Sequence, residues 1–387
     1  MQNGIMYSRI INKPLESERS FFLFGPRGTG KTTWLKTKFP NSLHFDLLDS
    51  NLYTDLTADP SYLRTLIPPG YGKWIIIDEV QRIPALLNEV HRLIENKQYK
   101  LIFTGSSARA LRKKGTNLLG GRAVTYHMYP LTAIELGKDF SLETSLRYGH
   151  LPSVHAGSGQ EDYLRSYVQT YLREEVLQEG LTRNLGAFAR FLEPASFSQG
   201  SLLNVSEVAR ESGLERKTVA NYFSILEDLL ISYFLPVFTR RTKRRLVSHN
   251  KFYYFDSGIF NTIRPRGPLD SANEIGGNAL ETLVLQELTA VNEYYDYRYS
   301  VYFWRTSNGT KVDFILYGTN GLVAIEVKSK EKITRKDLRG LQAFQADYPE
   351  ASLFLLHTGA RREYHGAVSV LPVGEALKEL PSILAPS

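Results

Sequence analysis

A glycine-rich segment near the start of the chain, residues 25–32, has the form G-x-x-x-x-G-K-T. In such a loop the glycines let backbone N–H groups converge on phosphate oxygens at the positive end of the following helix. The loop follows an apolar run, residues 21–24, and precedes a predicted helix, residues 31–37, so the pattern predicts an ATP site. The predicted binding residues are Gly25, Pro26, Arg27, Gly28, Thr29, Gly30, Lys31, Thr32 and Thr33; Lys31 is also predicted to be catalytic and Thr32 to bind Mg²⁺.

Two adjacent carboxylates, Asp78 and Glu79, follow a second apolar run, residues 73–77. Asp78 could hold the magnesium ion, and Glu79 could orient and deprotonate the attacking water. Such a pair predicts hydrolysis of ATP and not binding alone. A third apolar run ends at Thr104 and is followed by Ser106, and we expect these two hydroxyls to sense the γ-phosphate.

Three arginines lie near the ends of these elements: Arg82, Arg109 and Arg122. An arginine supplied in the same chain or by a neighbouring subunit can stabilise the charge that develops on a transferred phosphate. The residue pattern favours an ordinary surface arginine at each position. Arg122 follows two glycines and is the preferred candidate for contact with the nucleotide.

A second group of polar residues lies in the C-terminal part of the chain: Glu281, Asp313, Glu326 and Lys328. Glu326 and Lys328 are two apart on a predicted strand and share a face, and Asp313 lies on the preceding strand. A turn at residues 319–320 would place Asp313 opposite Glu326, and a turn at residues 320–321 would place it opposite Lys328. In either register the carboxylates predict an oxygen-ligand site for Mg²⁺ or Mn²⁺.

The chemistry of such a site would be phosphodiester cleavage. Glu281, Asp313 and Glu326 would bind the metal, and all three together with Lys328 are predicted to be catalytic, because a lysine can stabilise the charge that develops as water attacks. Glu281 lies in an otherwise apolar helical segment, where a cation would offset the cost of burying a carboxylate. A solvated hairpin face with an ordinary salt bridge remains the alternative.

The composition excludes several classes of site. The 387 residues are 42% hydrophobic and 22% charged, as in ordinary globular proteins, and include no cysteine, which excludes disulfides and thiolate metal sites. The sequence shows no signal pattern and no apolar run of the roughly 18 to 20 residues that a bilayer crossing needs. We therefore expect a cytoplasmic protein with no membrane contact. The net charge of +7 favours a polyanionic partner where cations cluster, as at residues 240–245.

The order of apolar runs predicts four segments in an α/β chain. Residues 1–135 would form a P-loop ATPase core around a parallel sheet, and residues 136–195 a helical lid or connector. Residues 196–265 would form a winged helix-turn-helix, and residues 266–387 a second α/β domain. The predicted strands of the first segment are residues 21–24, 43–47, 73–77, 101–104 and 123–128.

The predicted winged helix carries the basic cluster. Residues 206–211 and 215–230 have the pattern of two helices joined by a Ser-Gly turn, and the β-like runs 231–238 and 251–256 flank the basic residues, which would form the wing. A packing module between the other domains would have the same pattern. The predicted nucleic-acid contacts are Arg216, Lys217, Arg240, Arg241, Lys243, Arg244 and Arg245.

Several motifs in this order resemble a known family: the phosphate loop and residues 77–84, 103–109, 121–122 and 148–152. The chain resembles prokaryotic AAA-type P-loop ATPases fused to a C-terminal domain of formerly unknown function that is regarded as restriction-endonuclease-like. The resemblance implies Mg²⁺-dependent ATP hydrolysis and a homo-oligomer, for which a hexamer is one option. The C-terminal residues resemble the PD-(D/E)xK nuclease pattern, although Val312 replaces its frequent proline.

Three functions remain open at this point. In the first, an ATPase remodels a DNA-bound assembly and the C-terminal domain cuts the strand with a metal ion. In the second, the ATP state sets DNA or partner binding, and the nuclease-like domain is inactive. In the third, the chain is a motor or scaffold for another protein without nucleic acid, and the basic run disfavours this one.

Overall fold

The computed structural model describes residues 7–97, 99–109, 111, 119–178, 184–240, 244–267 and 270–385. Two of the predicted nucleic-acid contacts, Arg241 and Lys243, lie outside these residues. Within the described part of the chain, no helix combines the length and apolar character needed to span a membrane.

A parallel sheet lies at the centre of the N-terminal domain, in the spatial order β2-β3-β4-β1-β5. β1, β3 and β4 are buried along their whole length, as their unbroken apolar runs require. The predicted α/β fold with a parallel sheet is thereby confirmed. The elements are β1 (Ser20–Phe24), β2 (Leu43–Asp46), β3 (Ile75–Asp78), β4 (Leu101–Gly105), β5 (Ala123–His127), α1 (Lys13–Glu16), α2 (Lys31–Lys38), α3 (Ser50–Ala58) and α4 (Leu86–Lys97), with 3₁₀ turns at Pro60–Leu66 and Val80–Arg82.

The order of the strands brings the predicted ATP residues together. β1 lies beside β4, and β4 lies beside β3, so the segments that leave the carboxyl ends of these three strands meet at one edge of the sheet. Ligands of open α/β sheets bind at this edge. The segments are the phosphate loop after β1, the Asp78-Glu79 pair at the end of β3 and the Thr104 to Ser106 stretch at the end of β4.

Helices follow the sheet, and the described residues between 133 and 196 contain no strand. The helices from residue 160 to residue 178 form one continuous rod that contains a π-helical stretch. Tyr167 in this stretch donates a hydrogen bond to the Arg27 carbonyl oxygen over 3.0 Å, so the rod packs against the phosphate loop. The elements are α5 (Ala133–Leu136), α6 (Leu142–Tyr148), α7 (Pro152–His155), α8 (Gln160–Ser166), the π-helical stretch Tyr167–Tyr171, α9 (Leu172–Gln178) and α10 (Leu185–Ser196), with a 3₁₀ turn at Gly137–Asp139.

A helix-turn-helix and a two-stranded antiparallel sheet come next. The turn between the helices contains Gly213, whose φ of 66° favours glycine. We call this unit the helix-turn-helix domain. Its elements are α11 (Val205–Ser212), α12 (Arg216–Asp228), β6 (Ser232–Leu235), β7 (Lys251–Tyr254) and α13 (Ser257–Ile263).

The C-terminal domain is built on a mixed sheet in the order β12-β13-β11-β10-β9-β8. Its first helix begins at Ala272, where Ser271 caps the N-terminus by accepting a hydrogen bond from the Glu274 N–H. The elements are α14 (Ala272–Tyr294), β8 (Ser300–Arg305), β9 (Lys311–Gly318), β10 (Gly321–Lys328), α15 (Arg339–Asp347), β11 (Ser352–His357), β12 (Glu363–His365), β13 (Val368–Pro372) and α16 (Val373–Leu384).

The described residues between β6 and β7, 236–240 and 244–250, do not project as a free wing. Its backbone pairs with β8 of the C-terminal domain: the Phe238 N–H donates to the Phe303 carbonyl over 2.7 Å, and the Val247 N–H donates to the Arg305 carbonyl over 3.2 Å. An edge strand has unpaired backbone groups, and this segment satisfies some of those of β8. The described flanks of the predicted wing are therefore docked on the C-terminal sheet.

Candidate functional site

The phosphate loop joins the end of β1 to the start of α2. Gly28 and Gly30 have φ angles of 82° and 89°, which glycine adopts without strain. A Cβ on Gly28 would lie 2.8 Å from Tyr163 Oη, and a Cβ on Gly25 would lie 2.2 Å from the Met128 carbonyl oxygen. The loop therefore requires Gly25 for packing against backbone and Gly28 mainly for its conformation.

Lys31, at the start of α2, folds across this loop. Its Nζ donates to the carbonyl oxygens of Gly25, over 2.7 Å, and Pro26, over 3.2 Å. Thr29 Oγ1 also donates to the Pro26 oxygen, over 2.9 Å. Burial lowers the pKa of Lys31, although the carboxylates of Glu79, Glu175 and Asp78 oppose that shift. The ammonium group thus lies on the concave side of the loop.

Asp78 accepts a hydrogen bond at each carboxylate oxygen. Thr32 Oγ1 donates to Oδ2 over 2.7 Å, and Thr104 Oγ1 donates to Oδ1. Burial by itself raises the pKa of Asp78, but hydrogen bonds from His44, Thr104 and Thr32 outweigh it, so the pKa is lowered. An ionised carboxylate beside a hydroxyl supplies the oxygen ligands that Mg²⁺ takes in nucleotide sites, where phosphates complete the coordination. These residues therefore fit a magnesium nucleotide.

Glu79 lies at the end of β3 with a φ of 60°, a left-handed conformation that costs a non-glycine residue free energy. Its N–H donates to Thr104 Oγ1 over 3.2 Å. Gln81 Nε2 donates to Glu79 Oε2 over 2.6 Å and to Ser106 Oγ over 3.3 Å. Burial raises the pKa of Glu79, and Lys31 opposes this. Sequence reasoning missed Gln81, which lies two residues after Glu79 in the same motif.

A cleft of about 500 Å³ opens beside the loop. It is the size of a small-molecule pocket, and its mainly apolar walls suit a nucleoside attached to phosphates in the loop. Of the residues predicted to bind ATP, Thr29, Gly30 and Thr33 line it, and the remaining walls were not predicted. The residues that give it an apolar or aromatic wall are Tyr7, Trp34, Leu131, Pro152 and Ala156.

The Arg27 side chain points away from the loop, towards the helical rod. Its guanidinium lies 4.5 Å from the ring centre of Tyr171 and 3.8 Å from a carboxylate oxygen of each of Glu174 and Glu175. The rod therefore holds this side chain, and in this geometry Arg27 offers phosphates only its backbone.

The three candidate arginines each contact groups of their own chain. Arg82 lies over the ring of Tyr53 at 4.5 Å, and Arg122 Nε donates to Glu95 Oε1 over 2.9 Å. Arg109 forms an ion pair with Asp228, which lies at the end of α12. Arg109 thus links the ATPase domain to the helix-turn-helix domain.

In the C-terminal domain the strands pair in the first of the two predicted registers. Gly318 pairs with Gly321, so the turn is at residues 319–320 and Asp313 comes opposite Glu326. The Asp313 N–H donates to Glu326 Oε2 over 3.2 Å. Glu281 approaches from α14, and Lys328 pairs with Glu326. All four predicted residues therefore belong to one group.

Two lysines that sequence reasoning missed join them. Lys311 Nζ lies 2.8 Å from Asp313 Oδ1 and 3.6 Å from Glu281 Oε1. Lys251 Nζ, from β7, lies 3.4 Å from both Asp313 Oδ1 and Glu281 Oε2. Strand parity could have found Lys311, which is two residues before Asp313, whereas no local pattern indicates Lys251. We call Lys251, Glu281, Lys311, Asp313, Glu326 and Lys328 the C-terminal cluster.

Lysine ammonium groups lie beside the predicted metal ligands Glu281, Asp313 and Glu326. In the part of the chain that is described, no group of three or more acidic or histidine side chains is placed to hold a metal ion. Lysines lie against these carboxylates and occupy their oxygens. Binding of Mg²⁺ or Mn²⁺ at this cluster stays a prediction.

The charges of the cluster shift its proton affinities in opposite directions. Burial raises the pKa of Asp313, but Lys251, Lys311 and Lys328 outweigh it and hold the pKa well below its usual value. Burial and the charge of Asp313 raise the pKa of Glu326 to about 8. Of the two adjacent carboxyl groups, Asp313 is therefore the stronger acid.

The predicted nucleic-acid residues fall into two groups. Arg216 and Lys217 are exposed at the start of α12, and Arg245 is exposed before β7. Arg240 and Arg244 contact the C-terminal domain instead: Arg240 lies 4.6 Å over the Tyr317 ring, and Arg244 Nε donates to Asp347 Oδ2 over 2.7 Å. Sequence reasoning also missed an exposed basic segment after β10, which contains Lys332, Arg335, Lys336 and Arg339.

α14 connects the two regions. Arg9 Nη1 donates to the Thr29 carbonyl of the phosphate loop over 3.0 Å, and Arg9 Nη2 donates to Tyr294 Oη, near the end of α14, over 3.0 Å. Glu293 accepts from the His127 N–H over 2.7 Å at the end of β5. Because Glu281 lies on the same helix, α14 joins the ATP site to the C-terminal cluster.

Three family models match consecutive parts of the chain. Residues 17–137 match an AAA domain, residues 139–270 a domain of unknown function (DUF8612) and residues 276–376 a domain of unknown function (DUF4143). The first match agrees with the loop and carboxylate geometry. The other two attach no activity to the remaining domains.

Two curated relatives are uncharacterized proteins. One from Haemophilus influenzae is 22% identical over 265 residues, which are 64% of this chain and 65% of that protein, so the chain spans slightly under two thirds of its length. One from Methanocaldococcus jannaschii is 21% identical over 353 residues, with coverage of 81% and 76%.

Similarity to solved structures is low. The Thermotoga maritima RuvB Holliday junction branch migration motor is 18% identical, over 58% of this chain and 85% of that chain, with a TM-score of 0.32. The Aeropyrum pernix ORC1 protein in complex with DNA is 12% identical, over 67% and 93%, with a TM-score of 0.27. These scores are too low to support an argument from either structure.

Proposed function

For a chain whose residues 17–137 are a P-loop ATPase domain of the AAA type, we propose an ATP hydrolase whose nucleotide state controls binding of DNA by the rest of the chain. The observation that carries the hydrolase is the hydrogen-bonded set beside the loop, in which Asp78 bridges Thr32 and Thr104 while Gln81 holds Glu79. This set would combine a magnesium site with a base for water.

The roles follow from the contacts. Thr32 and Asp78 would hold Mg²⁺, which neutralises charge on the phosphates when bound. Lys31 would turn from the loop carbonyls to the terminal phosphates, and Glu79 would orient water and accept its proton. The cleft beside Trp34 would take the nucleoside.

Control of the C-terminal half would pass through α14 and α12. Arg9 connects the phosphate loop to Tyr294 on α14, and Arg109 connects the end of β4 to Asp228 on α12. A shift of the phosphate loop on nucleotide binding would reach α14 through Arg9, and a shift at the end of β4 would reach α12 through Arg109. A homo-oligomer, with a hexamer as one option, belongs to the same proposal, because Arg122 is exposed and could serve a neighbouring subunit.

DNA is the proposed partner because exposed cations occur on two surfaces of this half of the chain. Arg216 and Lys217 begin the second helix of the helix-turn-helix, the position from which such helices contact DNA. The exposed basic segment after β10 adds Lys332, Arg335, Lys336 and Arg339.

Cleavage of phosphodiester bonds by Glu281, Asp313, Glu326 and Lys328 is less well supported than regulation by binding. The register that sets Asp313 opposite Glu326 favours cleavage, but the lysines beside the carboxylates disfavour a catalytic metal ion. We therefore favour the regulator, with a nuclease-like domain that does not cut.

The test measures ATP hydrolysis and DNA cleavage together, using linear, circular and single-stranded DNA with Mg²⁺ or Mn²⁺. We expect DNA to stimulate hydrolysis, Lys31→Ala to abolish it and every DNA to remain intact. An Asp313→Ala/Glu326→Ala variant serves as the control for cleavage. Cleavage by the parent chain that disappears in this control would establish the nuclease instead, and absence of ATP hydrolysis would overturn the proposal itself.

A further inference from the structure

The strand β7 carries a lysine from the helix-turn-helix domain into the C-terminal cluster. Lys251 is the first residue of β7, and its side chain is only 2% exposed. It lies in the part of the chain that matches one family model, residues 139–270, whereas Glu281 and Asp313 lie in the part that matches another, residues 276–376. The cluster is therefore completed by a residue from outside the domain that holds its carboxylates.

The carboxylate oxygens of the cluster are engaged by donors and cations. Asp313 Oδ1 accepts from Lys311, and Oδ2 accepts from the Val327 N–H over 3.1 Å. Glu281 Oε2 accepts from Tyr253 Oη over 2.6 Å, and its Oε1 faces Lys311. Glu326 accepts from Lys328 and from the Asp313 N–H. A metal ion would have to displace these partners to gain its ligands.

The three lysine side chains differ in how easily they could move from the cluster into solvent. The side chains of Lys311 and Lys328 are 37% and 24% exposed, so either could swing into solvent. The Lys251 side chain is only 2% exposed, so it cannot move into solvent while β7 stays packed. Its Nζ also donates to Tyr253 Oη over 3.2 Å and lies 5.6 Å from the centre of the Phe303 ring, which fixes the ammonium group further.

Lys251 occupies the place that a bridging cation would take. Its Nζ is equally distant, at 3.4 Å, from an oxygen of Glu281 and an oxygen of Asp313. A divalent ion needs those oxygens as direct ligands at roughly 2.0 to 2.6 Å. An ammonium group and a dication so close together would repel strongly in a buried site. The two cations therefore exclude each other.

We propose that Lys251 is the resident cation of the C-terminal cluster and that it excludes divalent metal ions while β7 is docked. This inference extends the proposed regulator function, and its biological meaning rests on that function. The metal-binding experiment that tests it does not. The ion pairs of Lys251 with Glu281 and Asp313 then hold the helix-turn-helix domain against the C-terminal domain. Withdrawal of β7 would expose two carboxylates to solvent and to metal ions.

The experiment measures binding of Mn²⁺ alone by electron paramagnetic resonance, without nucleotide. The full chain carries Asp78→Asn, so that the ATP site does not contribute. With Lys251 intact we expect no stoichiometric binding. In Lys251→Met, which removes the charge and keeps an unbranched side chain one atom shorter, we expect one bound Mn²⁺ with affinity at least about tenfold higher. Adding Asp313→Asn to Lys251→Met should abolish that binding. Lys311→Met is the matched control, and it should gain less because Lys251 remains.

Two results would overturn the proposal. One is stoichiometric Mn²⁺ binding with Lys251 intact that Asp313→Asn removes. The other is a folded Lys251→Met protein that gains no Mn²⁺. If Lys251→Met does not fold, Lys251→Gln is measured instead, because its amide can still donate to the carboxylates. The same two results would then overturn the proposal. ATP hydrolysis by the parent chain is measured separately, so a failed hydrolase and a failed metal exclusion give different results.

Discussion

Gln81 donates a hydrogen bond from Nε2 to Glu79 Oε2 over 2.6 Å, and this bond holds the proposed base of the ATPase. The bond favours the ionised carboxylate and so opposes the effect of burial, which raises the pKa of Glu79. The charge state and the orientation of Glu79 therefore both depend on its neighbour two residues away.

Replacement of the base itself should separate binding from hydrolysis. We expect Glu79→Gln to lower kcat for ATP by about 10² to 10⁴-fold, the usual contribution of a general base, while the Kd for the nucleotide changes little. Steady-state hydrolysis and nucleotide titration measure the two quantities. An unchanged kcat would assign proton abstraction to another group.

Removal of the Gln81 amide should act through Glu79. In Gln81→Ala the pKa of Glu79 rises, so the acid limb of the profile of kcat against pH moves to higher pH. Gly105→Ala is a second route to the same effect, because a Cβ there would lie 2.3 Å from Gln81 Oε1 and displace that side chain. A lower kcat with no shift of the acid limb would show that Gln81 is only structural.

The hydrogen bond between Arg9 and Tyr294 should contribute to stability. Tyr294 Oη accepts from Arg9 and from the Tyr129 N–H, over 2.9 Å, within a buried region. Tyr294→Phe leaves these donors without their partner, so we expect the free energy of unfolding to fall by about 1 to 3 kcal/mol. Chemical denaturation measures it. Tyr295→Phe, at the exposed neighbouring residue, is the control and should change stability by less than about 0.5 kcal/mol.

The raised pKa of Glu326 predicts a pH dependence of stability. Its folded pKa is about 8 against an ordinary value of 4.5, so the folded state binds the proton more tightly. The resulting stabilisation is complete below pH 4.5 and is lost as the pH rises to about 8. Relative to Glu326→Gln, which does not titrate, the parent chain should therefore lose stability across this window. Denaturation at several pH values tests it, and parallel curves for the two proteins would contradict it.

Removal of exposed cations should weaken DNA binding in a salt-dependent way. Arg216→Ala/Lys217→Ala and Lys332→Ala/Arg335→Ala should each reduce the slope of log K against log[salt] by about 1 for every phosphate that the removed side chains had neutralised. Arg244→Ala is the matched control, since its guanidinium pairs with Asp347 and the slope should stay unchanged. Fluorescence anisotropy with one duplex at several salt concentrations measures the slope. If only Arg244→Ala lowers the slope, the docked wing would be the DNA-binding surface instead.

The sequence by itself determined those features that depend on neighbouring residues. The phosphate loop, the Asp78-Glu79 pair and the buried strands of the parallel sheet follow from local spacing and unbroken apolar runs. Strand parity likewise placed Asp313 on the same face as Glu326, and left two registers open because both turns were acceptable.

Tertiary structure decided the rest. The turn at residues 319–320 set Asp313 opposite Glu326, because that register pairs Gly318 with Gly321. Docking of the predicted wing on β8 depended on an edge strand far along the chain. Lys251 reached Asp313 across 62 residues, a contact that no local pattern records. The charge of the C-terminal cluster, and with it the exclusion of a metal ion, thus arises from the packing of two domains, because each domain supplies only part of the ion-paired set.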